Sequence, residues 1–261
     1  TSGWVVKLYA IMQQPVTFYS STNKWTTKTA TWYNNNNTCN VSVPAAPTAT
    51  SNYTALGWRK DTTASTAQYG AAAWTNIADC ANTMYAVYSW AATFYHGQAK
   101  ATTTTVTQYY NTNGAYSLTS PNALTAISGW TPVWWRDDTT ADVKEYGTWS
   151  NVTASARTYY GVYSRTVTIY HGKAKVSSST PTQYLNVNWN KVSSVSTPAP
   201  STTDLSTNWW TALWYRDDTD AWAKEYGSAS AWSVSPAYNV ATPTYYAVYS
   251  RKYTASFFSG V

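Results

Sequence analysis

Charge is scarce in this chain: only 11% of its 261 residues are Asp, Glu, Lys or Arg. Phe occurs 4 times, and Met, Cys and His twice each. Surface helices need Leu, Glu and Lys in quantity, so their shortage argues against a helical protein. The 17 Lys and Arg exceed the 11 acids and leave a formal charge of +6, but they are scattered and nowhere form a run of four. Nucleic-acid binding asks for a clustered basic stripe, so no nucleic-acid partner is expected. No apolar run reaches the roughly 18 residues of a membrane-spanning helix. The two cysteines, Cys39 and Cys80, have no paired histidines near them, which excludes a zinc site shared along the chain. A disulfide between them suits an oxidising compartment, two buried thiols being the alternative.

What is plentiful is Tyr (24) and Trp (16), with Thr, Ser, Asn and Ala filling the rest. Short Thr/Val/Tyr-rich alternating segments such as TATWYN, TVTQYY, TFYHG and YAVYS are strand signatures, so a mainly β protein is expected. Pro-rich links at 43–53 and 195–204 break helix and central strand alike.

The chain repeats itself. An aromatic-Arg-x-Asp-Thr stretch stands ten residues ahead of a Tyr-Gly in WRKDTTASTAQYG (58–70), WRDDTTADVKEYG (135–147) and YRDDTDAWAKEYG (215–227). A closing Tyr-Ala/Gly-Val-Tyr-Ser starts at Tyr85, Tyr160 and Tyr246. These landmarks define three units, 16–90, 91–165 and 166–251. The opening VVKLYAIMQQPVTFYS lays Tyr9 on Tyr85 and Phe18 on Phe94 without a gap, so residues 1–15 read as the tail of a preceding repeat. Residues 252–261 read as the first strand of a following one, with Phe257 and Phe258 in the places of Ile169 and Tyr170. Both ends are expected to pair with a sheet edge, within the chain or by strand addition between molecules. About four residues separate a closing strand from the next opening strand, so the units should form a stiff rod. DTTADVKEYG and DTDAWAKEYG open with Asp-Thr, stagger their charges by four and end at Gly, which predicts one short capped helix per unit.

The order of these parts resembles a known family. VTFYSS, TATWYNN, PAAPTATSNYTALGWRKD and TMYAVYSW of the first unit are similar to the Listeria-Bacteroides repeat, the internalin B-repeat class of bacterial surface proteins. The resemblance implies tandem β-grasp-like units, each a sheet crossed by a short helix, in a secreted or wall-attached protein. The family's Gly before Trp is kept at Gly57 and replaced by Trp134 and Trp214 in the other units, and its usual glycine pair after the first strand is reduced to Tyr-His-Gly.

A catalytic site in such an array should recur in each unit, and no nucleophile, base or metal constellation does. No enzyme, cofactor or metal is therefore expected. His96 and His171 occupy equivalent places, but Ser20 takes that place in the first unit, so they read as polar residues closing a strand at a Gly turn. Asp137-Asp138 and Asp217-Asp218 lack the alternate oxygen ligands of a calcium loop. The repeat positions Trp58, Arg59 and Asp61, Trp135, Arg136 and Asp138, and Tyr215, Arg216 and Asp218 suggest an ion pair or cation–π contact inside each unit, with the Asp capping the helix. Units this small cannot bury every ring, so Trp130, Trp149, Trp209, Trp210, Trp222 and Trp232 are the candidates for stacking on a ligand. The sequence thus predicts a non-enzymatic structural stretch of an extracellular surface or fibre protein, with neighbouring repeats or copies of itself as partners. The alternative is an aromatic binding module for glycans or a host protein.

Overall fold

The computed structural model describes residues 3–259, except 9, 21–26, 36–37, 42, 44–46, 48–51, 71–73, 78–80, 148–156, 176, 201–204, 206–208, 222–224, 227–232 and 241. The protein is mainly β and separates into two compact units, one of residues 1–93, 104–122 and 148–157, the other of 94–103, 123–147 and 158–261. The boundaries do not follow the sequence repeat. Segment 104–122, which belongs by sequence to the second repeat, packs with the first.

In the first unit β1 (Met12–Tyr19) is antiparallel to β2 (Thr27–Asn35), which pairs with β3 (Thr38–Val41), and β3 pairs in turn with β5 (Trp74–Ile77). β4 (Thr54–Arg59) runs antiparallel to the start of β6 (Thr83–His96), and that same stretch of β6 is parallel to β1 through Thr17↔Thr83 and Tyr19↔Tyr85. β7 (Thr102–Asn111) pairs with the short β8 (Tyr116–Ser117). Val16, Phe18, Trp58, Met84, Ala86 and Tyr88 are buried together, with Phe18 edge-on to Trp58 at 4.7 Å.

In the second unit the same arrangement occurs twice. β9 (Thr131–Arg136) is antiparallel to β10 (Thr158–Thr166), which is flanked by the end of β6 and by β13 (Thr182–Asn186). β11 (Thr168–His171) pairs antiparallel with β12 (Ser177–Ser179) and parallel with β18 (Thr244–Ser250), and β16 (Thr211–Arg216) lies antiparallel on the other side of β18. β14 (Lys191–Val192) extends β13, and β15 (Val195–Ser196) pairs with β17 (Ser233–Val234).

Three features mark the repeat in the backbone. The parallel pairing starts with the same hydrogen bond each time: Thr17 N–H to Asn82 O at 3.0 Å, Thr93 N–H to Arg157 O at 2.8 Å, and Thr168 N–H to Pro243 O at 3.0 Å. A stacked tyrosine pair follows, Tyr19–Tyr85, Tyr95–Tyr160 and Tyr170–Tyr246, at 5.4, 5.8 and 5.7 Å. A β-bulge in β4, β9 and β16 then turns the fully buried Trp58, Trp135 or Tyr215 inward.

One expectation is corrected, and one of the two pairings expected for the chain ends is not seen. The Asp-Thr segments are not helices: the described residues of 61–68, 138–145 and 218–225 are turn and coil, and no helix longer than a single 3-10 turn stands among the described residues. A β-grasp sheet crossed by a helix is therefore not what these segments build. The terminal segments also pair with no strand of this chain among the described residues. Residues 3–8, 10–11 and 251–259 are coil, with Leu8 90% and Phe257 94% exposed. Each internal closing strand is held between a bulged antiparallel strand and a parallel opening strand, and residues 3–8 and 10–11 pair with neither.

Cys39 lies fully buried on β3 in a disulfide. Cys80, the chain's other cysteine, lies outside the described residues.

Gly57 forms the first bulge at φ 141°, a conformation that side chains rarely adopt, and a Cβ there would run into the carbonyl of Tyr69. Trp134 takes that place in the second repeat at φ 122°. Gly57→Ala is expected to destabilise the first unit by about 3 kcal/mol, from strain plus the displaced Tyr69 backbone. Urea unfolding followed by near-ultraviolet circular dichroism measures this, and an unchanged midpoint would contradict it.

Candidate functional site

The repeated Arg and Asp form a clasp. After each buried aromatic the backbone turns away and returns eleven residues later, where Trp58, Trp135 and Tyr215 form bridges with Tyr69, Tyr146 and Tyr226. The bridge closes a loop, and the arginine fills it. Arg59 grips Asp61 with two bonds, Nε to Oδ1 at 2.7 Å and Nη2 to Oδ2 at 2.8 Å, and donates from Nη1 to the carbonyl of Thr66 at 2.7 Å. Arg136 does the same with Asp138 and with the carbonyl of Val143, and adds Glu145 Oε1 at 2.8 Å. Arg216 holds Asp218 at 2.7 Å on both oxygens and Glu225 at 2.8 Å. Each Asp also accepts the backbone N–H two residues on, from Thr63, Thr140 and Asp220. In the first repeat Gln68 stands in for the glutamate, donating to Asp61 Oδ2 at 2.9 Å.

These bonds explain the absence of helix. The guanidinium takes a carbonyl that a helix would have bonded internally, and the Asp ties the first turn to itself. The fork geometry is specific to arginine.

A buried asparagine reads the outside of the loop. Asn111 Nδ2 donates to the carbonyls of Asp61 and Thr63, both at 3.0 Å, and Asn186 Nδ2 to those of Asp138 and Thr140 at 3.0 and 3.1 Å. The next residue's N–H then bonds the closing strand: Thr112 to Ala86 O and Val187 to Gly161 O, each at 3.1 Å. The sequence reading did not single out these asparagines. The spacing that matches the opening strands also matches Asn111 to Asn186, and was the signal available.

Asp217, Asp218 and Glu225 bring carboxylate oxygens within 4.8 Å of one another, as a metal site would. Both Asp218 oxygens and one of Glu225 already accept from Arg216, and Asp217 accepts the Tyr226 hydroxyl at 2.8 Å. That bond, with burial behind it, raises the Tyr226 phenol to about 12. The cluster is an internal hydrogen-bond network with arginine as its cation.

His96 closes β6 ahead of Gly97, and its Nδ1 accepts the Thr125 N–H at 3.0 Å, which places its proton on Nε2. Burial pushes its pKa down. His171 is half-buried at the end of β11.

The aromatic candidates divide. Trp130 is buried: its indole N–H donates to Tyr238 O at 2.9 Å, and Arg165 covers its ring at 4.1 Å. It belongs to the packed interior and is no platform. Trp209 is 86% exposed in a turn, and the half-buried Trp210 carries Arg251 over its ring at 4.9 Å. Trp149, Trp222 and Trp232 lie outside the described residues. Trp189, which the sequence reading passed over, is 84% exposed beside Lys100 at 4.7 Å.

Compared with protein-family models, curated proteins and solved structures, the chain finds no match.

The Arg59 hydrogen bond, more than any other influence, lowers the Asp61 carboxyl from 3.8 to about 2, against the opposing effect of burial. A lowered folded-state value means that the clasp's contribution is complete above about pH 4 and drains away as the pH falls towards 2. Asp61→Asn should cost about 1 to 2 kcal/mol at pH 7, a charged hydrogen bond discounted for partial exposure. It should also flatten the acid limb of the stability curve between pH 4 and 2. Denaturant titrations at several pH values test both, and parallel acid limbs for the two proteins would rule the clasp out as an acid-sensitive element.

Proposed function

We propose that this chain is a non-enzymatic structural segment of a secreted surface or fibre protein, built of tandem repeats that act as a spacer and resemble the Listeria-Bacteroides repeat class. The observation that carries the reading is the threefold recurrence of one module: a parallel tyrosine-stacked strand pair, a bulged strand with a buried aromatic, and the arginine clasp. In each copy the most concentrated charge is consumed by holding a loop closed. The disulfide at Cys39 supports an oxidising, extracellular setting. Closing strands pass with little or no interruption into the next opening strand, at 83–96 and 158–171, which supports a stiff connection between repeats. Among the described residues no helix is long and apolar enough to cross a membrane.

A second reading, adhesion through aromatic stacking, is favoured by Trp189 and Trp209, two large rings held in the open. Exposed indole rings are the groups that lie on sugar faces or seat in a protein partner.

Small-angle scattering tests the spacer reading. A compact globule of this length has a radius of gyration of about 18 Å. The tandem arrangement should exceed that clearly, and a value at the compact limit would overturn it. Glycan-array binding that disappears in Trp209→Ala/Trp210→Ala, with the circular dichroism spectrum retained, would instead establish the adhesive reading.

A further inference from the structure

Each repeat stacks two half-buried tyrosines face to face, one on its opening strand and one on its closing strand. Tyr19 lies opposite Tyr85 in the parallel pairing of β1 with β6, and Tyr170 opposite Tyr246 in that of β11 with β18. Tyr95 and Tyr160 stack in the same way between β6 and β10. The ring centroids are 5.4, 5.7 and 5.8 Å apart, and the ring planes are 11°, 15° and 16° from parallel. Parallel neighbours in register send their side chains out on one face, about 4.8 Å apart, so the two rings run in one direction with their ortho carbons abreast. Lys100 Nζ stands 5.6 and 5.9 Å from the Tyr95 and Tyr160 rings, and Lys175 Nζ 5.1 and 4.9 Å from those of Tyr170 and Tyr246. One cation thus draws on both rings of a pair and holds them together.

Other close tyrosine contacts are of a different kind. Tyr110–Tyr116 and Tyr226–Tyr245 approach to 4.7 and 5.3 Å, but their planes are 40° and 88° apart. Tyr110 and Tyr245 are buried, which pushes both phenols up to about 12. A phenol that loses an electron must also lose its proton, and dry surroundings oppose the charge this leaves.

We propose that the three stacked pairs are sites of oxidative cross-linking, at which a haem peroxidase supplied with hydrogen peroxide joins the two rings as dityrosine. Each phenol gives one electron and its hydroxyl proton to the oxidant, and one hydrogen peroxide is reduced to two waters. The phenoxyl radicals carry spin on their ortho carbons, and a carbon–carbon bond forms between those carbons. Each ring becomes aromatic again as the hydrogen of the bonded carbon moves to the phenol oxygen, so the pair loses two hydrogens in all. Radicals held in one stack meet each other before any partner from solution, the advantage of an intramolecular reaction. The disulfide at Cys39 suits the oxidising setting that this chemistry needs.

Tyr85 and Tyr95 both lie on β6, and Tyr160 and Tyr170 lie on the successive strands β10 and β11. The three bonds therefore tie β1 to β6, β6 to β10 and β11 to β18. Each closes a long loop and so restricts the unfolded chain. They would reinforce a spacer under tension, yet they do not depend on the chain being one. A compact particle in scattering leaves the cross-links standing, and their absence leaves an elongated array intact.

The full chain, at low micromolar concentration, is treated with a haem peroxidase and hydrogen peroxide. A second arm uses photo-oxidised ruthenium tris-bipyridyl with persulfate, small enough to reach rings that an enzyme cannot. Monomer isolated under denaturing, reducing conditions should show dityrosine fluorescence and a loss of two hydrogens per bond. Proteolysis should release peptides joined at Tyr19–Tyr85, Tyr95–Tyr160 and Tyr170–Tyr246. Tyr85→Phe, Tyr160→Phe and Tyr246→Phe keep the ring, so each should delete its own joined peptide and leave the other two, with the circular dichroism spectrum retained. No dityrosine in either arm, dityrosine confined to dimers, peptides joined at other tyrosines, or the same joined peptides from urea-unfolded chain would each overturn the proposal.

Discussion

The bidentate arginine–aspartate pair is the contact on which the rest of each repeat depends. In a chain so poor in charge, an arginine, an aspartate and in two repeats a glutamate are gathered at a single point, with the guanidinium nearly buried and the carboxylates partly wet. An exposed ion pair contributes little. This one gains because the fork geometry is met on both oxygens and a third donor is satisfied by a loop carbonyl. The clasp sets the shape of the loop, and the loop's narrow bridge holds the buried Trp58, Trp135 or Tyr215 in place beneath it.

The outward carbonyls of that loop are the second level of organisation. Two converging carbonyls need donors once they leave water, and a buried asparagine amide supplies both from a strand that belongs by sequence to the next repeat. This explains why segment 104–122 packs with the first unit and not with the rest of its own repeat. The repeats interlock by an exchange of polar contacts over an aromatic core, so a substitution at Asn111 or Asn186 would be felt in the loop of the repeat before it.

The sequence reading went astray on the same physics. DTTADVKEYG has helical charge spacing and caps, and by local preference it is a helix. Arg136 lies one residue beyond the buried Trp135, however, and its side chain has nowhere to go but into the loop, where it removes the Val143 carbonyl from any helical bond. Trp130 was read as an exposed ring for a similar reason. Its flanking Gly129 and Thr131 suggest a loop, and the burial comes from Tyr238 and Arg165, distant in sequence.

The sequence alone determined the repeat and its period, the strand segments, and the residues that would carry an internal ion pair. These depend on residue type and spacing, which are local properties. Only the tertiary structure decided that the Asp-Thr segments are loops and that the asparagines join one repeat to the next. Each of those depends on where hydrogen-bond donors and acceptors from distant parts of the chain converge, and one sequence window contains only half of each pair.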